Sequence, residues 1–239
     1  MALFALFRYL LICMPLFFPI PAWSSGQVVI ADFSLGLDVK GVPSGWQLKE
    51  GTGKADFSLI KDGDIHALHL RSIDNSFAFQ KPMEVDPQQY PLLSWKWKVI
   101  RLPEGGDFRR GEADDQAAQI FLAFSNRHAI LYIWDTTAPQ GLMDNAWWAP
   151  PFMTIKAIVV RSGPAETGKW ISETRNVYED YKCLFGNEPP AVAGVRIQIN
   201  SQHTETSGEC FFADLVFQRQ AASLDTAYGI TVYRERLWD

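Results

Sequence analysis

An acidic pair with basic neighbours is the first place in the sequence where the residue types could do chemistry. Asp114 and Asp115 enter a predicted core strand and follow Arg109, Arg110 and Glu112. Hard cations prefer carboxylate oxygens, so one expectation is a structural Ca²⁺ held by Asp114 and Asp115. A second is a glycosidase-type carboxylate pair, although adjacent strand residues face opposite ways and cannot both flank one sugar. A third is that these acids pair with the neighbouring arginines.

A long aromatic loop offers a different chemistry. Segment 136–152 (TTAPQGLMDNAWWAPPF) carries Trp147 and Trp148 beside two prolines and is too long for a hairpin turn. Long loops in compact domains are usually functional or disordered, and this one is too aromatic for disorder. Indole rings suit stacking on sugars or anchoring a protein partner. We expect both tryptophans to contact a ligand, with Asp144 and Asn145 supplying hydrogen bonds. The alternative is that the indoles cap the open end of the domain.

The pair Trp95 and Trp97 is explained by the alternation of side chains along a β-strand. Trp95 and Trp97 alternate with lysines, which predicts a strand with its indoles in the core and with Lys96 and Lys98 facing solvent, where they could meet an acidic polymer.

His66 and His69 lie three apart in a predicted strand, so they face opposite ways and cannot chelate one metal. The sequence contains no G-x-S-x-G, P-loop or G-x-G-x-x-G motif, which argues against serine-hydrolase and nucleotide-dependent chemistry.

The first two dozen residues are typical of a secretory signal peptide. Arg8 supplies a positive charge, residues 9–18 form a short apolar stretch, and Ala22-Trp23-Ser24 is a suitable cleavage site. The apolar stretch is too short to span about 30 Å of hydrocarbon. We therefore expect cleavage of residues 1–24, no transmembrane segment afterwards, and a periplasmic or extracellular location.

Cleavage would remove Cys13 and leave Cys183 and Cys210 in an oxidising compartment. A disulfide between them is the expectation, and it would stabilise the fold by roughly 3.6 kcal/mol in a chain-entropy model. The alternative is two thiols that never meet.

Composition limits the classes of function. The 239 residues include 22 Lys+Arg and 27 Asp+Glu, for a formal net charge of −5. Nucleic-acid binding needs a basic face, so it is not expected. With 47% hydrophobic and 21% charged residues, the chain has the composition of a folded protein rather than a disordered one.

Most of the remaining sequence has the alternating or continuous apolar patterns of β-strands. One helix is predicted at 177–185 (VYEDYKCLF), where Gly186 ends it. The fold class is therefore all-β, a two-sheet β-sandwich or jelly roll with one short helix. We expect one domain over 25–218 and a less patterned tail over 219–239. The predicted strands are 27–33, 55–60, 65–71, 76–80, 92–99, 116–124, 129–134, 154–161, 169–176, 192–199 and 210–217.

Several short stretches at ordered spacing carry a family resemblance: 92–99 (LLSWKWKV), 114–118 (DDQAA), 132–134 (YIW), 160–163 (VRSG), 168–170 (GKW), 175–181 (RNVYEDY), 185–186 (FG) and 212–215 (FADL). With these stretches the sequence resembles the bacterial domain-of-unknown-function 3047 family of exported, uncharacterised proteins, which implies no assigned activity or catalytic residues. Relatives tend to carry an Asp-rich turn after Ile199, whereas this chain reads Asn200-Ser201-Gln202-His203-Thr204.

The leading functional expectation is non-catalytic binding of a glycan or cell-envelope polymer. A glycan-cleaving enzyme on the same scaffold is one alternative, and it would place Asp114, Glu112 or His128 in a cleft beside Trp147. An envelope assembly or protein-interaction module is the other, with Trp147 and Trp148 on a flat apolar patch.

Overall fold

Two β-sheets pack face to face in the structure, a computed structural model that describes residues 26–220. The all-β prediction is confirmed, because this range forms a two-sheet sandwich of the jelly-roll type with one short α-helix. No helix within the described range is long and apolar enough to cross a membrane. The predicted signal peptide at 1–24 and nearly all of the predicted tail at 219–239 lie outside the described residues.

The first sheet is antiparallel throughout. Its six strands are β1 (Gln27–Val29), β3 (Asp56–Asp62), β4 (Ile65–Ile73), β6 (Leu92–Arg101), β11 (Ile171–Asn176) and β13 (Ser207–Gln218). The spatial order is β11-β6-β13-β4-β3, and β1 pairs with the last residues of β13. Strands β3 and β4 form a hairpin, in which Gly63 adopts the left-handed conformation (φ 61°) that its tight turn requires.

The second sheet contains one parallel pair. Its seven strands are β2 (Gln47–Thr52), β5 (Ser76–Val85), β7 (Ala118–Phe124), β8 (His128–Asp135), β9 (Met143–Asn145), β10 (Thr154–Ser162) and β12 (Val192–Asn200). The order is β2-β5-β12-β7-β8-β10-β9, and only β8 and β10 run parallel. Parallel neighbours need a crossover connection, so the chain between them must return along the sheet.

Aromatic side chains fill the space between the sheets. Trp95 and Trp97 in β6 are 1% and 0% exposed, which confirms their predicted place in the core. Their rings contact the opposite sheet, with centroid distances of 5.6 Å from Trp95 to Tyr132 and 5.7 Å from Trp97 to Trp134. Burial of such large rings contributes more apolar area per residue than any aliphatic side chain could.

The intervening lysines of β6 point away from this core, as predicted, but neither is unpaired. Lys96 lies 2.9 Å from a carboxylate oxygen of Asp214, and Lys98 lies 2.5 Å from one of Asp62.

The helix forms where the sequence predicts it, at α1 (Val177–Phe185), because both ends are capped locally. The Asn176 side chain accepts a hydrogen bond from the backbone N–H of Glu179, and Gly186 adopts the left-handed conformation at the C-terminus (φ 75°). Arg175 donates two hydrogen bonds to Asp180, which also accepts one from Tyr132 at 2.8 Å. This buried triad joins the helix to the sheet beneath it.

Three elements differ from the sequence prediction. The first strand ends at Val29 instead of continuing to 33, because the Asp32 side chain accepts the Ser34 N–H and starts a 3₁₀ turn (Phe33–Leu35). Strand β2 was not predicted, since its sequence QLKEGT lacks apolar alternation. Strand β9 forms inside the predicted aromatic loop, where three residues pair with β10.

The predicted disulfide is not formed in the structure. Cys183 is exposed on α1, whereas Cys210 is buried in β13, and both are free thiols. Cys210 is part of the core between the sheets, so a bridge to a surface side chain of the helix would require it to leave that packing. Burial also raises the pKa of the Cys210 thiol well above its ordinary value.

Alkylation of the folded protein should therefore label Cys183 and leave Cys210 unreacted, because only Cys183 is accessible and the thiolate is the reactive form. Both cysteines should react after unfolding in denaturant without reductant. Peptide mass mapping assigns each label to its residue. Recovery of a cross-linked peptide containing both cysteines would contradict this result.

Candidate functional site

The outer face of the second sheet is polar across four neighbouring strands. In β12, Ile197 and Ile199 point into the core, so Arg196 and Gln198 face outward. The strand register extends this surface, here called the polar face, across β2, β5, β12 and β7. Its two central rows are Gln47-Gln80-Arg196-Phe121 and Lys49-Ala78-Gln198-Gln119, and a third row is Pro82-Gly194-Ala123.

Loops cover the other half of the same outer face, over β8 and β10. There the outward side chains of both strands are apolar and pack under loop residues, forming a second cluster: Phe108, Leu131, Ile133, Ala138, Ala157 and Val159. Ala146 packs in the same way against Ala129 and Ile155. The crossover segment 136–153 is therefore anchored on the sheet and forms a wall along the border of the polar face.

Trp147 and Trp148 lie on this wall and line a groove at its foot. They are 54% and 39% exposed, so both indoles have surface available to a ligand. The Trp147 Nε1 donates a hydrogen bond to Asp114 Oδ2 at 2.9 Å, which orients its ring. A Cβ atom at Gly111 would lie 3.1 Å from that ring, so glycine allows the indole to approach the backbone closely.

Asp114 is a buried carboxyl group at the base of the groove. Its Oδ1 accepts a hydrogen bond from Gln116 Nε2 at 2.8 Å, and its Oδ2 accepts the one from Trp147. Burial raises the pKa of Asp114 to about 6, and the nearby carboxylate of Asp135 adds to this rise. The two hydrogen bonds and the charge of His203 act in the opposite direction.

Asp115 has no solvent exposure and is held by the turn that follows β12. Asn200 Nδ2 donates to its Oδ1 at 2.9 Å. The backbone N–H and the hydroxyl of Thr204 both donate to its Oδ2, at 2.7 and 2.8 Å. His203 contributes from the same turn, with Nδ1 3.0 Å from the Asp114 carbonyl oxygen.

The arginines near this pair have a different partner from the one considered in the sequence analysis. Arg109 forms a two-pronged ion pair with Asp107, and Arg110 Nε lies 3.7 Å from the same carboxylate. The Arg109 guanidinium holds the pKa of Asp107 at about 2. Asp114 and Asp115 are instead hydrogen-bonded to neutral groups and to His203, because the 3₁₀ turn at Gly111–Ala113 separates them from both arginines.

Protein donors already occupy the carboxylate oxygens that a cation would need. Within residues 26–220, no three His, Cys, Asp or Glu side chains come together in a way that could hold a metal ion. Both carboxyl groups accept hydrogen bonds from protein donors, and a structural Ca²⁺ at Asp114 and Asp115 stays a prediction.

The groove has three connected parts that meet at Arg196. The part beside the tryptophans has a volume of about 200 Å³ and is lined by Gln119, Gln198 and His203 in addition to Asp114. Two further hollows, of about 370 Å³ and about 270 Å³, extend over the polar face towards Lys81 and Lys49 respectively. Arg196 lines all three, so one elongated ligand could contact it from either direction.

The other predicted ligand residues lie apart from this groove. Asp144 and Asn145 are exposed in β9 at the far edge of the sheet and do not line the part beside the tryptophans. His128 contacts the Tyr181 hydroxyl at 2.6 Å, at the end of β8 next to the helix. His69 stacks on Phe211 on the outer face of the other sheet.

Sequence reasoning missed the polar face, although a signal for it was present. In VAGVRIQIN, Arg196 and Gln198 alternate with apolar residues, which marks them as outward-facing. The local pattern does not reveal which residues lie beside Arg196 on the sheet. Gln80 and Gln47 come from strands more than a hundred residues earlier, and the strand that carries Gln47 was not predicted.

Fold and groove together define a jelly-roll protein with an elongated polar groove across the outer face of one sheet. The chain belongs to the family described as "Protein of unknown function (DUF3047)", whose family model matches residues 44–216. This confirms the resemblance noted from the sequence. No curated protein matches the chain.

Several solved structures share this general architecture. One is the family 11 carbohydrate-binding module of the cellulase Lic26A-Cel5E of Clostridium thermocellum, with 9% identity and a TM-score of 0.42 over 82% of this chain and 96% of that one. Another is the xyloglucanase domain of NopAA from Sinorhizobium fredii, with 11% identity and a TM-score of 0.44 over 73% of this chain and 94% of that one. A third is endoglucanase Cel12A from Rhodothermus marinus, with 10% identity and a TM-score of 0.41 over 71% of this chain and 89% of that one. At these identities and TM-scores, the likeness carries no conclusion about what this chain does.

The raised pKa of Asp114 predicts a specific pH dependence of stability. The folded protein holds a proton at Asp114 between the ordinary value of 3.8 and about 6, where the unfolded chain has lost it. The contribution of Asp114 to the free energy of unfolding therefore falls as pH rises through this window. Relative to wild type, the Asp114→Asn variant should gain about 2 kcal/mol between about pH 4.5 and about pH 7.

Urea unfolding at both pH values measures this difference. The exposed Asp144→Asn substitution is the matched control and should show no such change. An equal difference between wild type and Asp114→Asn at the two pH values would show that Asp114 has an ordinary pKa.

Proposed function

We propose that this protein is exported to the periplasm or surface of a bacterium, where it binds a glycan or cell-envelope polymer without cleaving it. The observation that supports this most directly is the pair of partly exposed indoles, Trp147 and Trp148, beside an elongated groove with a polar floor. Indole faces suit the apolar faces of sugar rings.

The floor of the groove supports a polyhydroxylated ligand. Gln47, Gln80, Gln119 and Gln198 each carry an amide that can both donate and accept hydrogen bonds, as sugar hydroxyls do. The row of small residues that ends at Ala123 leaves room above the sheet for an extended chain. A protein-docking surface would instead be expected to have an apolar centre, so the groove favours glycan binding over an assembly role.

Substitution of the exposed indoles tests this proposal. Trp148→Ala should weaken binding to a recognised polysaccharide by about 1–3 kcal/mol, a range taken from aromatic stacking on nucleic-acid bases. Trp147→Ala should weaken it at least as much, since it also removes the hydrogen bond to Asp114. Affinity electrophoresis through gels containing bacterial and plant polysaccharides identifies the polymer and measures the change.

Trp170→Ala is the matched control, because Trp170 lies on the outer face of the other sheet, where it donates to Asp62. Its affinity should equal that of the wild type. Unchanged affinity in both Trp147→Ala and Trp148→Ala would contradict the role of the wall in binding.

A glycan-cleaving enzyme is the second candidate, and Asp114 is the observation that favours it. A carboxyl group with a raised pKa, placed in a groove beside Trp147, has the properties of a general acid. Hydrolysis by two carboxylates would need a second acid facing the same ligand. Among the described residues that line this part of the groove, Asp114 is the only carboxylate.

Prolonged incubation with the bound polysaccharide distinguishes the two candidates. Because no second acid among the described residues lines the part of the groove beside the tryptophans, we expect no shortening of the polymer and no new chain ends. Size-exclusion chromatography and a reducing-end assay measure both. Shortening by the wild type that disappears in Asp114→Asn would establish the enzyme instead.

A further inference from the structure

Arg196 is a partly buried cation without an anionic partner. It lies in the second central strand of the polar face, and no carboxylate within residues 26–220 forms an ion pair with it. Burial lowers the pKa of its guanidinium, yet an arginine remains charged. A charge removed from water without an opposite charge is unfavourable, so this position is costly to the free protein.

The neighbours of Arg196 hold its guanidinium in place without neutralising it. Its cross-strand neighbours are Gln80 and Phe121. The guanidinium lies 5.5 Å from the centre of the Phe121 ring and donates one hydrogen bond to Gln80 Oε1 at 3.2 Å. An arginine has five N–H donors, and this hydrogen bond engages the only one that has a partner among the described residues. The Nε of Arg196 is buried and has no hydrogen-bond partner there. The head group is thus oriented in advance and retains its capacity to bind an anion.

One lysine, Lys49, reinforces the positive charge around Arg196. It lines the hollow on one side of Arg196 and faces outward, because its strand partner is Ala78 of the polar face. It forms no ion pair with a described carboxylate. Lys81 borders another hollow, but it pairs with the inward-facing Val195 and its ammonium donates to the backbone carbonyl of Ile30 at 3.0 Å. The acids that line these hollows are Glu50, whose Oε1 accepts the Ala55 N–H, and Asp114, whose oxygens accept from Gln116 and Trp147.

On the opposite sheet, two outward-facing lysines are neutralised by carboxylates of the protein itself. On its outer face Lys96 pairs with Asp214, and Lys98 pairs with Asp62. The protein carries a formal net charge of −5, so carboxylates are more numerous than cations in the sequence. Arg196 and Lys49 on the polar face have no such carboxylate partner among the described residues. This moves the expected contact with an acidic polymer from Lys96 and Lys98 to the other side of the molecule.

We propose that the glycan bound on the polar face is acidic, and that a sugar carboxylate pairs with the guanidinium of Arg196 on the side of the groove that Lys49 also lines. This inference rests on the proposed glycan-binding function and names the class of its ligand. Arginine presents parallel N–H groups that match the two oxygens of a carboxylate. The wall tryptophans would then contact a sugar ring further along the same chain.

The direct test compares polymers that differ only in charge. Isothermal titration calorimetry is carried out on the unaltered protein with polygalacturonate, alginate and hyaluronan, each matched with its esterified form. Neutral xylan and soluble cellulose derivatives, and dextran with dextran sulfate, complete the set. We expect at least one uronate polymer to bind about tenfold or more tightly than its ester, with affinity falling as salt is raised.

A pair of variants assigns the effect to one residue. Arg196→Gln should reduce affinity for that uronate polymer about tenfold or more and leave its ester unaffected. Arg101→Gln removes the same charge from an exposed position in the other sheet and should have no effect. The comparison of acid with ester needs no variant, so it holds even if Arg196→Gln folds poorly.

Each alternative outcome has a distinct meaning. Equal binding of acids and esters, or binding of neutral polymers alone, overturns the inference that the glycan is acidic. The proposed glycan-binding function still holds in that case if the binding depends on Trp148. Arg196-dependent binding of dextran sulfate, without binding of any uronate, overturns the carboxylate in favour of a sulfate. Failure of every polymer to bind contradicts the proposed function itself.

Discussion

One buried carboxylate, Asp115, fixes the geometry on which the groove depends. A carboxyl group without solvent contact is tolerated only when its oxygens are hydrogen-bonded. Asn200 at the end of β12 and Thr204 in the turn after it supply those donors. This requirement holds the turn against the segment that enters β7. Because Asp114 precedes Asp115 in the chain, its position is set at the same time, and Trp147 is oriented through it.

The two faces of the second sheet have separate roles. Its inner face completes the aromatic layer in which Tyr132 and Trp134 meet the tryptophans of the opposite sheet. Its outer face packs apolar side chains under the loops over β8 and β10 and carries a row of polar side chains on the uncovered strands. The core therefore does not depend on side chains such as Gln80 or Gln198. Polar residues that the fold does not need for packing can be selected for ligand binding without loss of stability.

Local patterns predicted the elements, and distant contacts determined the site. The helix was predictable because Asn176 and Gly186 cap it from adjacent positions, and the core tryptophans because strand alternation is a property of neighbouring residues. The partners of Asp115 lie more than eighty residues away, beyond any local pattern. Asp144 and Asn145 were grouped with the tryptophans because they are close in sequence, yet pairing with β10 places them at the far edge of the sheet.

The parallel pairing of β8 and β10 has a consequence for how this family can diversify. Since parallel neighbours require a crossover, a segment must join β8 to β10, and in this chain its residues 143–145 also pair with β10 at the edge of the sheet. Insertions or substitutions there would change the wall without disturbing the cationic floor. The wall can therefore change by exchange of one segment, whereas Arg196 and the glutamines of the floor are carried by strands that the fold requires.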